Sequence, residues 1–527
     1  MMKVLISDTL HEKGMEILKG CPNLQIDVKV GLSPEELKKL IGNYDALAIR
    51  SATKVTDDIL SKADHLKVIC RAGIGVDNID VKKATERGVV VMNTPGGNNV
   101  TTAEHTLGLI FSLVRSIPQA TRSLKDGKWE KKAFMGVELM DKTIGILGLG
   151  NIGAIVADRA RGLKMKVIAF DPFLSKEAAR KMDVELVTLD ELLSRSDIIS
   201  IHVPLTDATK NMIGRKEFAK MKDGVYFVNC ARGGLVDEDA LLEALNSGRV
   251  AGAALDVFQK EPPGPTSLIM HPHVIGTPHL GAATEDAQEK VSILCGKQLI
   301  DYLTKGVVSN AVNLPSVSAE QAPLLQPYQR LAEKLGSFHG QVLQGGAKKI
   351  TLEYLGELTQ LDVKSITLSY LKGYFSTYLE TPVTEVNAPL FANARGIKIV
   401  ESTSSKSEEF TSLIQVTLET DQGTTSVAGT IFRANEPRIV RIDRYILEAL
   451  PEGVVLVIRN DDRPGVVGYI GTVLGENKIN ISRMQLGLDA VNKQAIALIN
   501  IDGPVPPPIL EKLKETQSIL SVKQLFL

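Results

Sequence analysis

Thr143-Ile-Gly-Ile-Leu-Gly-Leu-Gly-Asn-Ile-Gly153 decides the reading of this chain. It joins a short apolar strand to the start of a helix through Gly148, Gly150 and Gly153, the G-x-G-x-x-G spacing. Gly148 permits a tight turn, Gly150 lets the backbone approach a pyrophosphate, and Gly153 lets helix and strand pack closely. The helix start then meets the phosphates with free N–H groups. The next apolar strand ends at Asp171, in Ile168-Ala-Phe-Asp-Pro172. A carboxylate there binds ribose hydroxyls and repels a 2′-phosphate, so the pattern predicts NAD rather than NADP. A glycine-rich turn beside a surface acid explains each residue singly but not their joint context.

Working outward, short β-branched runs alternate with helical runs from residue 1 to about 310. Lys3–Ser7, Ala46–Ile49, Val68–Cys70 and Val89–Met92 form one predicted strand series. Thr143–Leu147, Val167–Phe170, Ile198–His202, Tyr226–Asn229, Gly252–Leu255 and Val274–Gly276 form a second. Such alternation predicts an α/β fold with two doubly wound parallel sheets: a flavodoxin-like substrate domain and a Rossmann nucleotide domain. The expected boundaries are 1–95 plus 282–310 for the substrate domain and 96–281 for the NAD domain. The site belongs in the cleft between them. A linker texture at Pro315, Ser316 and Ser318 opens an α+β segment, 311–450, with strands at Ile350–Leu355, Leu413–Glu419 and Val427–Arg433. After Leu450-Pro-Glu-Gly453, residues 451–527 read strand, helix, strand, strand, helix, strand, a ferredoxin-like order.

Composition narrows the classes. The 527 residues carry a net charge of −1, with 44% hydrophobic and 23% charged residues. That balance argues against a general nucleic-acid or anionic-membrane binder. No apolar run is long enough to span a bilayer. Cys21, Cys70, Cys230 and Cys295 lack metal-ligand spacing, so no metal is expected, and a reduced cytoplasmic setting is the simplest account.

Arg232, Glu261 and His279 follow the fingerprint in that order. Hydride transfer at a 2-hydroxy acid needs a cationic fork, an acid/base and a partner that orients the acid/base. Arg232 supplies a planar fork for a 2-oxo or 2-hydroxy carboxylate. His279 is a candidate acid/base because histidine as a residue type exchanges a proton near neutral pH. A contact from Glu261 would fix its tautomer and stabilise the imidazolium. Each residue alone has an ordinary structural explanation. Together they are expected near C-terminal strand ends, where open α/β sheets bind ligands. His202, in Ile201-His-Val-Pro204, is a further cofactor contact through its loop.

Asn229-Cys-Ala-Arg-Gly-Gly234, Ala254-Leu-Asp-Val-Phe258, Glu261-Pro-Pro263 and Pro278-His-Leu-Gly-Ala282 resemble the D-2-hydroxyacid dehydrogenase family. The resemblance implies that Arg232, Glu261 and His279 are catalytic. It implies a cofactor set of Gly148, Gly150, Asn151, Ile152, Gly153, Asp171, His202, Val203, Pro204, Cys230, Ala231, Arg232, Asp256, His279 and Gly281. Arg50-Ser-Ala-Thr-Lys-Val55 and Arg71-Ala-Gly-Ile-Gly-Val-Asp-Asn78 resemble the branch that oxidises 3-phospho-D-glycerate to 3-phosphohydroxypyruvate, the entry to L-serine. Arg50, Ser51 and Arg71 would meet the phosphate, Ile74 and Gly75 would hold the carboxylate, and Asn98 would line the cleft. Lys128-Trp-Glu-Lys-Lys-Ala-Phe-Met-Gly136 resembles a segment that reaches a neighbouring subunit, which brings Lys131 and Lys132 to a partner's phosphate site in a homo-oligomer, expected to be a tetramer.

Val386-Asn-Ala-Pro389 and Val400-Glu-Ser402 resemble an allosteric substrate-binding domain, and the last segment resembles an ACT domain. Asp462 and Asn480 match polar positions that bind L-serine between paired ACT domains. Asn460-Asp461 departs from the histidine or tyrosine of relatives, and Leu488-Asp-Ala-Val-Asn-Lys493 lacks their glycine-rich turn. Two rival readings stay open. A glyoxylate or hydroxypyruvate reductase needs neither Arg50 nor Arg71. A non-catalytic NAD-sensing scaffold needs no turnover.

Overall fold

The computed structural model describes the chain except Ser318, Ala319, Ser407, Glu408 and Ala490. Ser318 of the linker and Ala490 of the 488–493 turn therefore lie outside the described residues. The first sheet contains β1 (Met2–Ile6), β2 (Leu24–Val28), β3 (Ala46–Ile49), β4 (Val68–Arg71) and β5 (Val90–Met92). Its order is β2-β1-β3-β4-β5 with every pairing parallel, the flavodoxin-like order. Alternate residues feed two cores: Val4, Ala48 and Cys70 face one side, Leu5, Leu47 and Ile69 the other. The first core also takes Val291, Cys295, Leu299 and Leu303 from the helix Glu285–Lys305. The chain thus returns to its first sheet after leaving it for the second. The sequence series omitted β2, an edge strand whose mostly part-exposed residues give a weak apolar signal.

The second sheet contains β6 (Thr143–Leu147), β7 (Lys166–Phe170), β8 (Glu185–Leu186), β9 (Ile198–Ile201), β10 (Val225–Asn229), β11 (Val250–Leu255) and β12 (Val274–Gly276). Its order is β12-β11-β10-β9-β6-β7-β8, all parallel. The order reverses beside β6, so the fingerprint after β6 opens into the crevice at the switch point. The helix Asn99–Val114 packs its Ala103, Leu109, Ile110 and Leu113 into this domain's core.

The third sheet holds β13 (Ala347–Gly356), β14 (Lys398–Ser404), β15 (Ser412–Thr420), β16 (Thr424–Phe432), β17 (Glu436–Ile442) and β18 (Tyr445–Ala449). β14 runs parallel to β13 and the other pairings are antiparallel. β14, β17 and β18 escape the sequence reading because charged residues and a proline interrupt their apolar runs. The fourth sheet, β19 (Val454–Asp461), β20 (Ile481–Asp489), β21 (Gln494–Ile501) and β22 (Ile519–Phe526), is antiparallel in the order β20-β21-β19-β22. Helices Val466–Glu476 and Pro507–Lys514 cover one face. The other face joins the third sheet's core, where Val455, Val457, Ile496 and Leu498 are buried in one cluster with Leu331 and Leu335. The break near Leu450 therefore separates two sheets that share one core, while the fourth sheet keeps a second core beneath its own helices.

Candidate active site

The nucleotide turn follows from three glycines. Gly148 has φ 89°, and a Cβ there would lie 2.7 Å from the Val203 side chain and 2.8 Å from the His202 carbonyl. A Cβ at Gly153 would sit 2.1 Å from the Gly148 carbonyl oxygen, so strand and helix touch backbone to backbone. A Cβ at Gly150 would meet nothing within 4 Å. The open side of the turn is thus where a ligand can reach the backbone. The helix Asn151–Gly162 begins there, its first N–H groups lacking acceptors within the helix. Asp171 follows β7 and accepts from the Leu149 N–H at 2.9 Å and the Phe173 N–H at 2.9 Å. The donors, open space and acid at the strand end fit a pyrophosphate and a ribose diol.

Other expected cofactor residues have partners within the chain. The His202 ring shares a hydrogen with Ser200 Oγ at 2.9 Å, and burial lowers its pKa to about 4. It is neutral at ordinary pH and supports the turn, leaving the part-exposed Val203 and the exposed Pro204 at the rim. Burial pushes the Cys230 thiol up to about 12, so it is an inert packing group. Asp256 has no exposed surface. Its carboxylate accepts from Thr277 Oγ1 at 2.6 Å, the Leu280 N–H at 2.7 Å and the Gly281 N–H at 2.8 Å. It shapes the loop that carries His279 instead of facing open space. Burial alone would raise its pKa, but these donors and His105 outweigh that and hold it below the usual carboxylate range.

Three adjacent strands carry the proposed chemistry. Arg232 follows the end of β10, Glu261 that of β11 and His279 that of β12. His279 Nδ1 lies 2.8 Å from Glu261 Oε2, and Glu261 Oε1 accepts from the Phe258 N–H at 3.1 Å. The contact inferred from the sequence is present. Burial favours the neutral Glu261 acid, yet the His279 hydrogen bond and charge prevail and lower its pKa. His279 takes a left-handed φ of 55°, fixed by its N–H donating to the Asp256 carbonyl at 3.0 Å. Arg232 is more constrained than a free fork. Its Nε donates to Asp77 Oδ2 at 2.8 Å and its Nη1 to the Ala231 carbonyl at 2.7 Å. A Cβ on Gly75 would fall 1.6 Å from Arg232 Nη2, so the guanidinium crosses the cleft and lies against the Ile74–Gly75 backbone.

The arginines of the first sheet converge on the same place. Arg71 ends β4, and its Nε donates to Asn78 Oδ1 at 3.0 Å. Asn78 Nδ2 donates in turn to the carbonyls of Arg50 at 2.7 Å and Thr53 at 2.6 Å. Asp8 accepts from the Arg50 N–H at 2.6 Å and from Thr53 Oγ1 at 2.8 Å. Burial, then the positive charges of Arg232 and Arg50, lower the Arg71 pKa to about 10, against opposing pulls from Asp77 and Asp8. Among the described residues, neither Arg50 nor Arg71 makes a salt bridge to a carboxylate, whereas Arg232 does. Sequence reasoning missed Asp8, Thr53, Asp77 and Asn78. The one signal available was that Asp8 lies just past the first strand, as Arg50 follows β3 and Arg71 ends β4.

The remaining expected residues divide. Asn98 has a buried Oδ1 without a hydrogen-bond partner, suited to a ligand donor. Ser51 is exposed, and Ile74 is fixed by Asn93 Nδ2 donating to its carbonyl at 2.6 Å. Lys131 and Lys132 are exposed in the turn Lys131–Phe134, with the Lys131 ammonium 5.6 Å from the Trp129 ring centroid. Trp129 is 76% exposed, so it buries little surface within its own chain. Asp462 and Asn480 flank opposite ends of the helix Val466–Glu476, and Asn480 Nδ2 donates to Asp502 at 2.9 Å. No side chain caps that helix, so Asp462 does not serve as its cap. Among the described residues there is no cluster suited to a metal ion and no helix long and apolar enough to cross a membrane.

A two-domain cleft with a dinucleotide turn, a His–Glu pair and a cross-cleft arginine defines an NAD-dependent 2-hydroxyacid dehydrogenase. Residues 107–281 match the NAD binding domain of D-isomer specific 2-hydroxyacid dehydrogenases. Residues 324–443 match the D-3-phosphoglycerate dehydrogenase intervening domain, and 454–516 an ACT domain. A D-3-phosphoglycerate dehydrogenase of Methanocaldococcus jannaschii is 44% identical over 99% of this chain and 99% of its own. One from Bacillus subtilis is 41% identical over 99% of both. The chain belongs to the D-3-phosphoglycerate dehydrogenase family. Among solved structures, a glyoxylate reductase from Paecilomyes thermophila is 33% identical, with TM-score 0.55 over 59% of this chain and 98% of its own. A D-lactate dehydrogenase from Aquifex aeolicus, complexed with NAD and lactic acid, is 30% identical, with TM-score 0.52 over 59% and 100%.

Proposed function

We propose that the chain oxidises 3-phospho-D-glycerate to 3-phosphohydroxypyruvate with NAD, the entry to L-serine. The carrying observation is the arginine group. Among the described residues Arg50 and Arg71 have no carboxylate partner, and the depressed Arg71 pKa marks a site that gains from an anion. Residues 1–95 with 282–310 serve as the substrate domain and 96–281 as the NAD domain, with 311–450 and 451–527 as intervening and ACT regulatory domains. Bound NAD supplies the hydride acceptor. His279, its Nδ1 held by Glu261, takes the C2 hydroxyl proton on Nε2 as the hydride leaves C2. Arg232 Nη2, beside the Ile74–Gly75 backbone, holds the carboxylate end. Asn98 Oδ1 and Ser51 line the same cleft.

The oligomeric reading rests on an exposed apolar group: Leu124, Trp129, Met135 and Met140. Their exposure supports a homo-oligomer, in which Lys131 and Lys132 reach a partner's phosphate site. Asp462 and Asn480 bind L-serine only if two helices pair antiparallel, because within one chain the helix of about 16 Å separates them. The free cysteines fit a reducing cytoplasm.

The test is NADH-linked reduction of 3-phosphohydroxypyruvate beside hydroxypyruvate and glyoxylate, with and without L-serine. A large preference for the phosphorylated substrate is expected. Comparable rates on all three would replace this reading with a general hydroxyacid reductase. NADH binding without turnover would replace it with a sensor.

A further inference from the structure

We propose that His105 is a positioning residue for the reaction, holding the His279 loop through the buried Asp256 carboxylate. The inference rests on the dehydrogenase reading above. His105 lies on the helix Asn99–Val114, outside the matched nucleotide-binding segment and more than 150 residues from the loop it meets. Its Nε2 is 3.1 Å from Asp256 Oδ1 and 3.2 Å from Thr277 Oγ1. The pair is shielded: the Asp256 side chain is 1% exposed and that of His105 22%.

Asp256 is the hub of the 277–281 loop. It takes the Thr277 hydroxyl and the Leu280 and Gly281 N–H groups, which bracket His279 on both sides. A carboxylate removed from water needs a full set of donors, and its affinity for the backbone donors depends on its orientation. His105 supplies the donor that comes from a separate element. From the same helix face, Thr102 Oγ1 donates to the Gly281 carbonyl at 2.8 Å. The helix thus grips the loop at Thr277, Gly281 and the hub between them. Its residues 102 and 105 are spaced to share one face.

This grip matters because His279 sits at φ 55°, a conformation that a non-glycine residue keeps only when its surroundings enforce it. Loosening the hub lets the loop relax and swings the imidazole away from the reacting hydroxyl. Misplacement by about 1 Å costs about a hundredfold at the limit. Loss of one donor with water entry is expected to cost about tenfold.

The experiment uses full-length wild type, His105→Leu and His105→Gln. Leucine removes the donor, whereas the glutamine amide can return one toward Asp256. For 3-phosphohydroxypyruvate reduction, kcat of His105→Leu should fall about tenfold. KM and the NADH Kd should stay within about twofold, and the isotope effect from 4-deuterated NADH should rise. His105→Gln should recover most of kcat. Amide hydrogen exchange across 277–281 should quicken in His105→Leu, a readout independent of turnover. Thr277→Val should show the same split should His105→Leu not fold. Unchanged kcat with unchanged exchange, a loss carried wholly by KM or NADH Kd, or no recovery with glutamine would overturn the proposal. Wild-type inactivity on every substrate would overturn the functional reading alone, because the exchange comparison still decides the role of His105.

Discussion

Arg71→Leu probes the substrate assignment most directly. Asn78 pins the Arg71 Nε at 3.0 Å, so the chain holds the guanidinium in place before any ligand arrives. Burial and the neighbouring charges of Arg232 and Arg50 lower its pKa to about 10 against the opposing pulls of Asp77 and Asp8, so like-charge repulsion is only partly offset within the chain. A phosphate relieves that repulsion and gains a charge-assisted hydrogen bond of about 1.5–3 kcal/mol. That energy corresponds to a loss of roughly tenfold to 150-fold in kcat/KM for the phosphorylated substrate when the guanidinium is removed. Hydroxypyruvate lacks the phosphate and should lose less than about threefold, since leucine also removes a charge that opposes Arg232. Arg71→Lys should fall between, keeping charge without the planar fork. The assay is steady-state NADH oxidation with both substrates at low ionic strength. Equal losses on the two substrates would refute the phosphate assignment and make Arg71 a structural residue.

Two other perturbations test the rest of the site. Gly153→Ala introduces a Cβ 2.1 Å from the Gly148 carbonyl, where ordinary contact begins near 3.4 Å. Opening the turn should cost about 1–3 kcal/mol and weaken NADH binding at least fivefold by fluorescence titration. Unchanged affinity would remove the tight-turn argument. Glu261→Gln keeps the shape but loses the charge beside His279, and kcat should fall about a hundredfold at pH 7. The stability effect has a defined sign. The folded pKa of Glu261 lies below its ordinary value, so its stabilisation is complete above about pH 5 and disappears as pH falls through the folded pKa. Thermal melts of Glu261→Gln and wild type should therefore differ at pH 7 and draw together as pH falls below about 4. A constant difference across that range would contradict the ion-pair account.

The nucleotide turn, the candidate catalytic set and the alternation of the first 310 residues were legible because each depends on local rules. A glycine at φ 89° or a Cβ-free contact is specified within ten residues, and apolar strands buried on both faces announce themselves as continuous runs. Weakly apolar elements were not. β2 at an edge and β17 with its charges and proline carry too little periodic signal. The shared core of the third and fourth sheets was also hidden, because a ferredoxin-like pattern reports which residues are apolar but not what covers them.

By itself, the sequence determined which backbone turns form and which side chains carry charge or a proton at neutral pH. It therefore determined the dinucleotide turn and the candidate set of Arg232, Glu261 and His279. Only the tertiary structure decided how those groups are held. Asp77 takes Arg232 across 155 residues, His105 takes Asp256 across 151, and Asn78 ties Arg71 to Arg50. A hydrogen bond requires two groups within about 3 Å and correctly aimed, and for residues on different sheets that geometry comes from packing rather than chain proximity. The same packing buries Asp256 beneath the His279 loop and holds the part-exposed His202 ring against Ser200, placements that no strand-end pattern specifies.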